Sequence, residues 1–501
     1  MRVAGERIAA RRLIAQFYER RGFRPAWAAP ARARALAELV EASLTHGLDP
    51  ADYHGALVRR AAAGAALDAT VDREIVFTDA LVRLAYHLRF GKVNPRELYP
   101  DWNYSRTLDG IAPVAALEGL VASADLRAAV ERFGPQLAIY RELGGALARH
   151  RAIATAGGWP QVGRGATLDP GMRDARVAAL RARLEASGDL GASPAEEPER
   201  YDAALEAAVR RFQRRHALEE DGRVGRQTIA ALDVGVARRI DEIRVNLERL
   251  RWVAQDVAGD FIVVDIAGFA AVLYLDGAPA WQARVVVGRP FRRTPAFRAT
   301  MDHLVLNPAW IVPPTILRED VLPKLARDLG YLAANGMRVV DNAGRPVDAA
   351  AIDWQAARGG GFAYQIEQAA GGANPLGQVK FMFPNRHSVY LHDTPSRGLF
   401  EKTERAFSSG CIRVERPLEL AALLLDDAER WSVVALAAAI ATGETRAVPV
   451  KRRVAVLLLY FTAAPFGDGD VQFRRDLYGR DDRVLAALAQ PFRFSPVDGK
   501  R

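Results

Sequence analysis

FIVVDIAGFAAVLYLDGAPAWQARVVVG, residues 261–288, is the stretch in which the periodicity of the chain changes. Apolar residues here alternate with other residues or form short runs, and Gly268 and Gly277 fall between the runs as turns. This pattern predicts three successive β-strands. Further strands are predicted at His303–Leu306, Gln378–Met382, Ser388–His392 and Val454–Phe461. We therefore expect a mostly β domain over residues 256–462.

Upstream of this stretch, apolar residues recur about every 3.6 positions, as in helices. At roughly 150 residues per domain, 501 residues leave room for about three domains. We expect a multidomain α+β protein. Its predicted parts are an all-α domain at 1–165, a small three-helix domain at 168–235, a linker helix at 236–255, the β domain at 256–462 and a C-terminal extension at 463–501.

An insertion interrupts the β domain at about 315–373. It has helical character and ends in two glycine clusters, at 359–361 and 371–372. Long insertions between strands are often functional, and lids that cover active sites are among them. We interpret the insertion as a helical lid over a site.

The composition limits the class of protein. Half of the residues are apolar and 26% are charged, as in globular proteins. The longest apolar runs are shorter than the roughly 20 residues that a membrane span needs. The net charge of +9 comes almost entirely from arginines, which are scattered among acidic residues and alanines instead of forming a basic stripe. This distribution disfavours nucleic-acid binding.

The N-terminal residues 1–21 carry several charges and no apolar core of 7–15 residues, so they are not a secretory signal. They are predicted to form an amphipathic helix of the folded body. Either the protein stays in the cytosol or a leader lies upstream of this sequence. The four histidines of the N-terminal domain, His46, His54, His87 and His150, lack acidic or thiol partners nearby in sequence and are predicted to be satisfied or at the surface.

Cys411 is the only cysteine, which excludes internal disulfides and thiolate metal clusters. In the segment Ser409–Val414, alternation buries Ile412 and Val414 and turns Cys411 and Arg413 to the other face. In Ser388–His392 the same rule places Tyr390 and His392 together. A cysteine that only filled the core would share a face with the apolar residues, so this thiol is predicted to line a cleft as a nucleophile.

His392 lies 19 positions before Cys411 and is the best candidate for its base, because an imidazole within hydrogen-bond reach raises the thiolate fraction. Arg413 is predicted to stabilise the thiolate or to hold a substrate carboxylate. Gly410 lets backbone N–H groups approach a developing oxyanion. Asp393 orients the imidazole through either its carbonyl or its side chain.

His387 and a metal site complete the candidates. His387 is predicted to be structural or to lie at the rim. Two histidines with Asp393 form a poor ligand set, because zinc sites use three or four convergent ligands. No metal and no cofactor is expected.

The run AVRRFQRRHALEEDGRVGRQTIAALDV, residues 208–234, resembles the peptidoglycan-binding domain family 1. Three helices are predicted there, at Arg176–Ala186, Ala203–His216 and Gln227–Leu232. The matching positions are Phe212, Gln213, Leu218, Asp221, Gly222, Val224, Gly225, Thr228 and Leu232. A generic three-helix bundle is the alternative, and sugar-binding residues cannot be assigned.

Residues 374–417 resemble the catalytic signature of the L,D-transpeptidases, with their YkuD-type domain: a His, a variable loop and Ser-x-Gly-Cys. Ser409 stands where many members have His, but it agrees with the large branch that carries a scaffold domain, and FYERRGFRPAW near the N-terminus agrees with that scaffold. The resemblance extends to Asn307–Trp310 and Asn374–Gly377. It implies Cys411, His392, Gly410 and Asp393 as catalytic residues. It implies substrate-binding roles for Arg413, Tyr390, Ser409, Trp310 and Asn374.

The resemblance implies a two-step acyl transfer between peptidoglycan stem peptides. A Cys411 acyl-enzyme would form with loss of D-Ala, and a 3→3 cross-link between diaminopimelate residues would follow. Carbapenem acylation of Cys411 is a further implication. The alternatives are a cysteine hydrolase of wall peptides (an L,D-carboxypeptidase or endopeptidase) and a non-catalytic wall-binding scaffold. Papain-like enzymes place Cys before His in the chain, whereas here His392 precedes Cys411, which disfavours that fold. The caspase core motif is absent from the sequence, which disfavours that family as well. The implied partners are stem peptides, glycan and other wall-synthesis enzymes, in the periplasm.

Overall fold

The computed structural model describes residues 1–64, 70–192, 196–359, 362–467, 469–495 and 497–498. The chain folds as two compact units. The first comprises Met1–Val257 and Phe461–Arg501, and the second comprises Ala258–Tyr460.

The N-terminal part of the first unit is helical. It begins with a two-stranded hairpin, β1 (Arg2–Val3) and β2 (Glu6–Arg7), so the helix predicted over residues 1–21 is wrong for its first ten positions. The hairpin forms because Gly5 supplies a left-handed turn residue. The helices are α1 (Arg11–Arg20), α2 (Pro30–Ala42), α3 (Gly55–Ala62), α4 (Thr70–Phe90), α5 (Pro95–Leu98), α6 (Pro113–Ala122), α7 (Leu126–Glu131) and α8 (Ala138–Thr155), with 3₁₀ turns at Ser43–His46 and Pro50–Tyr53.

Each of the four histidines of this part has a hydrogen-bond partner, although the buried Nε2 of His87 has none. His54 lies between two carboxylates that are distant in sequence, with its ring nitrogens 2.9 Å from Glu6 Oε2 and 2.9 Å from Asp79 Oδ2. The remaining three bond to a tyrosine hydroxyl or a backbone carbonyl.

The predicted three-helix domain is present as α9 (Arg176–Ala186), α10 (Ala203–Arg215) and α11 (Arg226–Leu232), each within one residue of its predicted bounds. Leu180, Val209 and Phe212 are fully buried in its core. Gln213 connects the parts of the motif through its side-chain amide. Its Oε1 accepts the Gly222 N–H at 2.9 Å, and its Nε2 donates to Asp221 Oδ1 at 2.8 Å. The motif residues therefore hold a turn of this domain.

The predicted linker helix is α12 (Val236–Val253), and it is a core helix of the first unit. Every residue from Val245 to Val253 is buried. Its Arg251 and Glu248 form a fully buried ion pair at 2.6 Å, and Glu248 also accepts the Trp252 indole N–H at 2.9 Å. A buried pair with its hydrogen bonds satisfied is the form in which such charges are tolerated in a core.

The second unit is built on an eleven-stranded sheet and is mostly β, as predicted. Its strands are β3 (Phe261–Asp265), β4 (Ala270–Leu275), β5 (Ala278–Gly288), β6 (Arg298–Thr300), β7 (His303–Leu306), β11 (Val379–Met382), β12 (Leu391–His392), β13 (Ala406–Ser408), β14 (Ile412–Val414), β15 (Arg446–Pro449) and β16 (Ala455–Leu459). Three other strands belong to a smaller sheet: β8 (Trp310–Ile311), just before the insertion, and β9 (Met337–Val340) and β10 (Gln365–Gln368), within it. Along the sheet the order is β15-β7-β11-β12-β14-β5-β4-β3-β16-β6, with β13 paired to β5.

The predicted helical lid has a mixed structure, so the prediction of a helical insertion is wrong in part. Strands β8, β10 and β9 form an antiparallel sheet of their own. The helices are α13 (Pro314–Ile316), α14 (Leu322–Leu325), α15 (Gly330–Ala334) and α16 (Trp354–Gly359), with a π-helical turn at Leu317–Val321 and a 3₁₀ turn at Ala349–Ala351. Val339, Trp354 and Ile366 belong to a separate hydrophobic cluster. Residues 360 and 361 of one predicted glycine cluster lie outside the described residues.

The second unit also contains α17 (Pro417–Leu425), α18 (Ala428–Trp431) and α19 (Val433–Ala441). In the first unit, the segment from Phe461 onward adds a hairpin, β17 (Ala463–Phe466) and β18 (Asp470–Phe473), and helix α20 (Asp481–Leu488). Within that unit Thr462 is fixed to α12, because its N–H donates to Asn246 Oδ1 at 3.0 Å. None of the helices in the described ranges is long and apolar enough to cross a bilayer.

Candidate active site

Three neighbouring strands carry the candidate site. Strand β12 pairs antiparallel with β11 and parallel with β14, and in this register His392 lies opposite Lys380 on one side and Arg413 on the other. Side chains that are directly opposite on neighbouring strands share a face of the sheet. The predicted grouping of His392 with Arg413 is therefore confirmed.

Cys411 joins this face next to Tyr390. The backbone N–H of Ile412 donates to the Tyr390 carbonyl at 3.1 Å. This bond continues the parallel register of β12 and β14, so Tyr390 lies alongside Cys411. Ile412 and Val414 are fully buried, whereas Cys411 and Arg413 are partly exposed, as the alternation predicts. The strand predicted over Ser388–His392 is shorter, because Ser388 has a left-handed φ of 52° and only Leu391–His392 is β.

The loop before Cys411 is fixed by its own hydrogen bonds. Ser408 Oγ donates to the Cys411 carbonyl at 2.6 Å and accepts the Gly410 N–H at 3.0 Å. The Thr294 hydroxyl donates to the Gly410 carbonyl at 2.8 Å. Gly410 has a φ of 123°, a conformation that other residues rarely adopt.

This network determines which backbone N–H group is free to stabilise an oxyanion. The Gly410 N–H already donates to Ser408, so it is not a free donor. The Cys411 N–H has no hydrogen-bond partner in the described part of the chain. It is therefore the backbone donor that remains free beside the thiol.

The thiol of Cys411 is protonated in this arrangement. Its Sγ lies 3.7 Å from the Ser388 carbonyl oxygen, which can only accept a hydrogen bond. Burial raises the pKa of the thiol, and Tyr390, Lys380 and Arg413 oppose that increase. Within the described residues, no hydrogen bond joins Cys411 to His392, so the predicted thiol–imidazole hydrogen bond is absent in this state.

The imidazole of His392 is held as a neutral base. Its Nδ1 lies 2.5 Å from the Asp393 carbonyl oxygen, so Nδ1 carries the proton and Nε2 carries the free lone pair. Burial, and secondarily the charge of Arg413, lower the pKa of His392 to about 3. Of the two routes that the sequence left open for Asp393, the structure uses the main-chain carbonyl.

The side chain of Asp393 holds the loop instead. Its Oδ2 accepts the Gln378 N–H at 2.9 Å, and its Oδ1 lies 2.5 Å from Arg397 Nη2. Gly377 makes room for this carboxylate, because a Cβ there would lie 2.4 Å from Asp393 Oδ2. Gly377 also has a left-handed φ of 61°.

Arg413 presents a partly exposed guanidinium to the site. Its Nε is buried and has no hydrogen-bond partner, and within the described ranges the side chain forms no ion pair. Burial and the neighbouring charge of Arg289 lower the pKa of Arg413. A cation left without an anion at a cleft is suited to an incoming carboxylate.

Tyr390 is buried, which differs from the cleft-lining role that was predicted for it. Burial and the nearby Cys411 raise the pKa of its hydroxyl, and Trp310 opposes the increase. Its ring centroid lies 5.7 Å from that of His392, edge to face. Tyr390 therefore lies beside both the thiol and the imidazole.

Lys380 is the site residue that sequence reasoning missed. Its Nζ lies 3.9 Å from the centroid of the Tyr390 ring, within the range of a cation–π contact. Burial lowers the pKa of this ammonium group. The available signal was that Lys380 is the one charged residue in the otherwise apolar strand VKFM.

Ser409 and Asn374 have partners of their own. Ser409 Oγ accepts a hydrogen bond from Arg292 Nη1 at 3.0 Å. Asn374 is buried, donates to the Pro308 and Ala369 carbonyls at 3.0 and 3.1 Å, and accepts the Leu376 N–H at 2.8 Å. These contacts favour a structural role for Asn374, and its predicted contact with substrate stays a prediction.

Trp310 lies in β8 and is partly exposed. His387 is also partly exposed, and its ring lies 4.9 Å from that of Phe297. Across the described residues there is no group of three or more His, Cys, Asp or Glu side chains that could hold a metal ion.

Three family models match the chain. Residues 259–449 match the "L,D-transpeptidase catalytic domain", residues 173–232 the "Putative peptidoglycan binding domain" and residues 12–147 the "Scaffold domain". A curated protein of Haemophilus influenzae, "Putative L,D-transpeptidase", is 35% identical over 276 residues, which cover 54% of this chain and 55% of that protein. The chain thus spans about half the length of the curated relative that it matches.

Two solved L,D-transpeptidase structures also match. The one from Xylanimonas cellulosilytica (residues 123–326) is 17% identical, covers 59% of this chain and 99% of its own, and has a TM-score of 0.19. The one from Stackebrandtia nassauensis is 12% identical, covers 60% and 96%, and has a TM-score of 0.21.

Proposed function

We propose that this chain, which carries an L,D-transpeptidase catalytic domain, a peptidoglycan-binding domain and a scaffold domain, forms 3→3 cross-links between peptidoglycan stem peptides through an acyl-enzyme on Cys411. The observation that carries the proposal is the single face of the sheet shared by Cys411, a neutral His392 and an unpaired Arg413. Nucleophile, base and carboxylate receptor are the three groups that this chemistry requires.

In the first step the thiol sulfur attacks the carbonyl carbon of the L-centre of diaminopimelate in a donor tetrapeptide. The thiol proton passes to Nε2 of His392 as the C–S bond forms. When the tetrahedral intermediate collapses, the C–N bond to D-Ala breaks and His392 delivers the proton to the departing amine. Because thiol and imidazole are both neutral at rest, proton transfer accompanies attack instead of preceding it.

In the second step the side-chain amine of an acceptor diaminopimelate attacks the thioester. His392 Nε2 takes a proton from this amine, the new amide forms and the thiol is restored with that proton. The Cys411 N–H stabilises the oxyanion of both tetrahedral intermediates. Arg413 binds a carboxylate of the stem peptide and so sets the reacting carbonyl beside the sulfur.

The insertion at 315–373 shapes the donor groove and limits the access of water to the thioester. The peptidoglycan-binding domain keeps the enzyme on its polymeric substrate, which raises the effective concentration of stem peptides. Since that substrate lies outside the cytoplasm, we place the protein in the periplasm. Wall-synthesis enzymes are proposed as partners on the same ground.

Purified protein incubated with a disaccharide tetrapeptide tests the proposal. Mass spectrometry should detect an acyl adduct on Cys411, release of D-Ala and a cross-linked dimer, and Cys411→Ala should abolish all three. A free tripeptide as the sole product would instead identify the cysteine hydrolase. Neither adduct nor turnover would leave the non-catalytic scaffold. A carbapenem should acylate Cys411 with the same dependence on the sulfur.

A further inference from the structure

Lys380, in the second unit, carries a partly buried positive charge without an anionic partner in the described part of the chain. It stands opposite His392 on β11, and its ammonium group lies over the face of the Tyr390 ring. The side chain is partly buried, and among the described residues it makes neither a hydrogen bond nor an ion pair. A cation withdrawn from water without an anionic partner is unfavourable, so a compensating charge is expected at some stage of the cycle.

The other described lysines are different. Lys92 is buried but forms an ion pair with Asp52 at 2.6 Å. Lys324, Lys402 and Lys451 are exposed to solvent. Lys380 alone among these combines burial with the lack of a carboxylate partner.

The negative charge that compensates Lys380 during the reaction is that of the Cys411 sulfur. Lys380 lies over the Tyr390 ring, and Tyr390 also contacts Cys411, so the ammonium group and the sulfur lie on the same face and close to one ring. The charge of a Cys411 thiolate would favour the charged form of Lys380, and the charge of Lys380 favours the thiolate in return. Opposite charges on one face stabilise each other in this way, and the pair is complete only when the thiol ionises.

We propose that Lys380 is a positioning residue that stabilises the thiolate of Cys411 across the Tyr390 ring and disfavours a proton on His392. The inference rests on the proposed role of Cys411 as nucleophile. As the thiol proton moves to His392 Nε2, negative charge develops on the sulfur and positive charge on the imidazole. Lys380 stabilises the first charge and destabilises the second, so the proton moves on to the departing amine and does not return to sulfur.

Alkylation of the full-length protein tests this directly. Because Cys411 is the only cysteine, a single carbamidomethyl adduct from iodoacetamide reports on this thiol alone, with no peptide substrate present. Removing an opposite charge near an ionisable group changes its ionised fraction by about tenfold or more. Lys380→Met should therefore react about tenfold more slowly at pH 7, with its rate profile moved to higher pH.

Two further variants separate charge from packing. Lys380→Arg keeps the cation and should stay within about threefold of the unmodified protein, since a tenfold change requires loss of the charge. Lys402→Met removes an exposed lysine of the same unit and should have no effect. If Lys380→Met melts below the assay temperature, Lys380→Gln removes the same charge with a polar side chain.

The outcomes are decisive in either direction. Equal alkylation rates for the unmodified protein and a folded Lys380→Met overturn the proposal, and so does a Lys380→Arg variant that is as slow as Lys380→Met. With the peptide substrate, Lys380→Met should lower kcat and leave KM nearly unchanged, whereas an increase in KM alone would make Lys380 a substrate ligand. Loss of cross-linking with a Lys380-dependent alkylation rate would refute the proposed function and leave this inference standing.

Discussion

His392 and Arg413 lie directly opposite each other on the parallel strands β12 and β14. The pairing sets a guanidinium against an imidazole that is already buried and already donates Nδ1–H to the Asp393 carbonyl. Burial and this neighbouring charge together lower the pKa of His392 to about 3. The imidazole that we propose as the base is therefore neutral throughout the physiological range.

Stability should depend on pH through His392. The pKa of His392 is about 3 in the folded protein, against about 6.5 for an unfolded histidine, so between these values the unfolded chain binds more protons. The free energy of unfolding therefore falls as the pH drops below about 6.5 towards about 3. We expect the melting temperature, followed by circular dichroism from pH 7.5 to 4.5, to fall more steeply for the unmodified protein than for His392→Asn.

The asparagine variant is a matched control because its amide N–H can still donate to the Asp393 carbonyl while the titratable group is gone. Other buried histidines titrate equally in both proteins, among them His46 and His150, whose pKa burial lowers to about 4. The difference between the two curves therefore isolates His392. Parallel curves would contradict the assigned pKa.

Arg413→Met should change both the base and substrate binding. Losing the guanidinium should raise the pKa of His392 while keeping it below its ordinary value, since burial is the larger cause. Losing a charge-assisted bond to a carboxylate, worth about 1.5–3 kcal/mol, should raise the KM for tetrapeptide by about tenfold or more. NMR titration of the imidazole and steady-state kinetics measure the two effects. Arg453→Met, at an exposed position, is the control, and an unchanged KM for Arg413→Met would remove Arg413 from substrate binding.

Gly377→Ala should disturb the support of His392. An added Cβ would lie 2.4 Å from Asp393 Oδ2, and the left-handed φ of 61° strains any side chain. We expect a loss of about 1–3 kcal/mol in the free energy of unfolding, measured in urea, together with a lower kcat, because Asp393 also carries the carbonyl that orients the imidazole. Gly398→Ala is the control, since its Cβ would meet nothing within 4 Å. Equal stability of the two variants would show that the Asp393 loop can shift without lowering the free energy of unfolding.

The sequence predicted the strands, the three small helices and the shared face of His392 and Arg413 because these follow from periodicity and alternation, which are local. It missed Lys380, whose importance comes from the pairing of β11 with β12, and it did not show which backbone N–H is free beside the thiol, because the bond from Gly410 N–H to Ser408 forms only in the folded loop. The thiol–imidazole hydrogen bond expected from the sequence is absent in this structure, because it too depends on contacts between distant parts of the chain. The direction of the Cys411 side chain depends on Ser388, 23 positions away, whose left-handed backbone presents a carbonyl to the sulfur.

Arg292 should control the insertion through Ser409. Its guanidinium donates to Ser409 Oγ at 3.0 Å and to Glu319 Oε2 at 2.9 Å, and it also pairs with Asp320. One nearly buried side chain therefore connects the loop before Cys411 to the π-helical turn of the insertion. Arg292→Met removes all three contacts and takes from Asp320 its ion-pair partner, whereas Glu319 keeps its pair with Arg318. Hydrogen exchange of the amides at 317–325 should become faster, and kcat/KM for tetrapeptide should fall because the groove is no longer held against the thiol. Arg345→Met breaks an exposed pair with Asp341 inside the insertion and should change neither quantity. Unaltered exchange at 317–325 in Arg292→Met would mean that the insertion is held by its own hydrophobic cluster, and that Arg292 serves only the loop before Cys411.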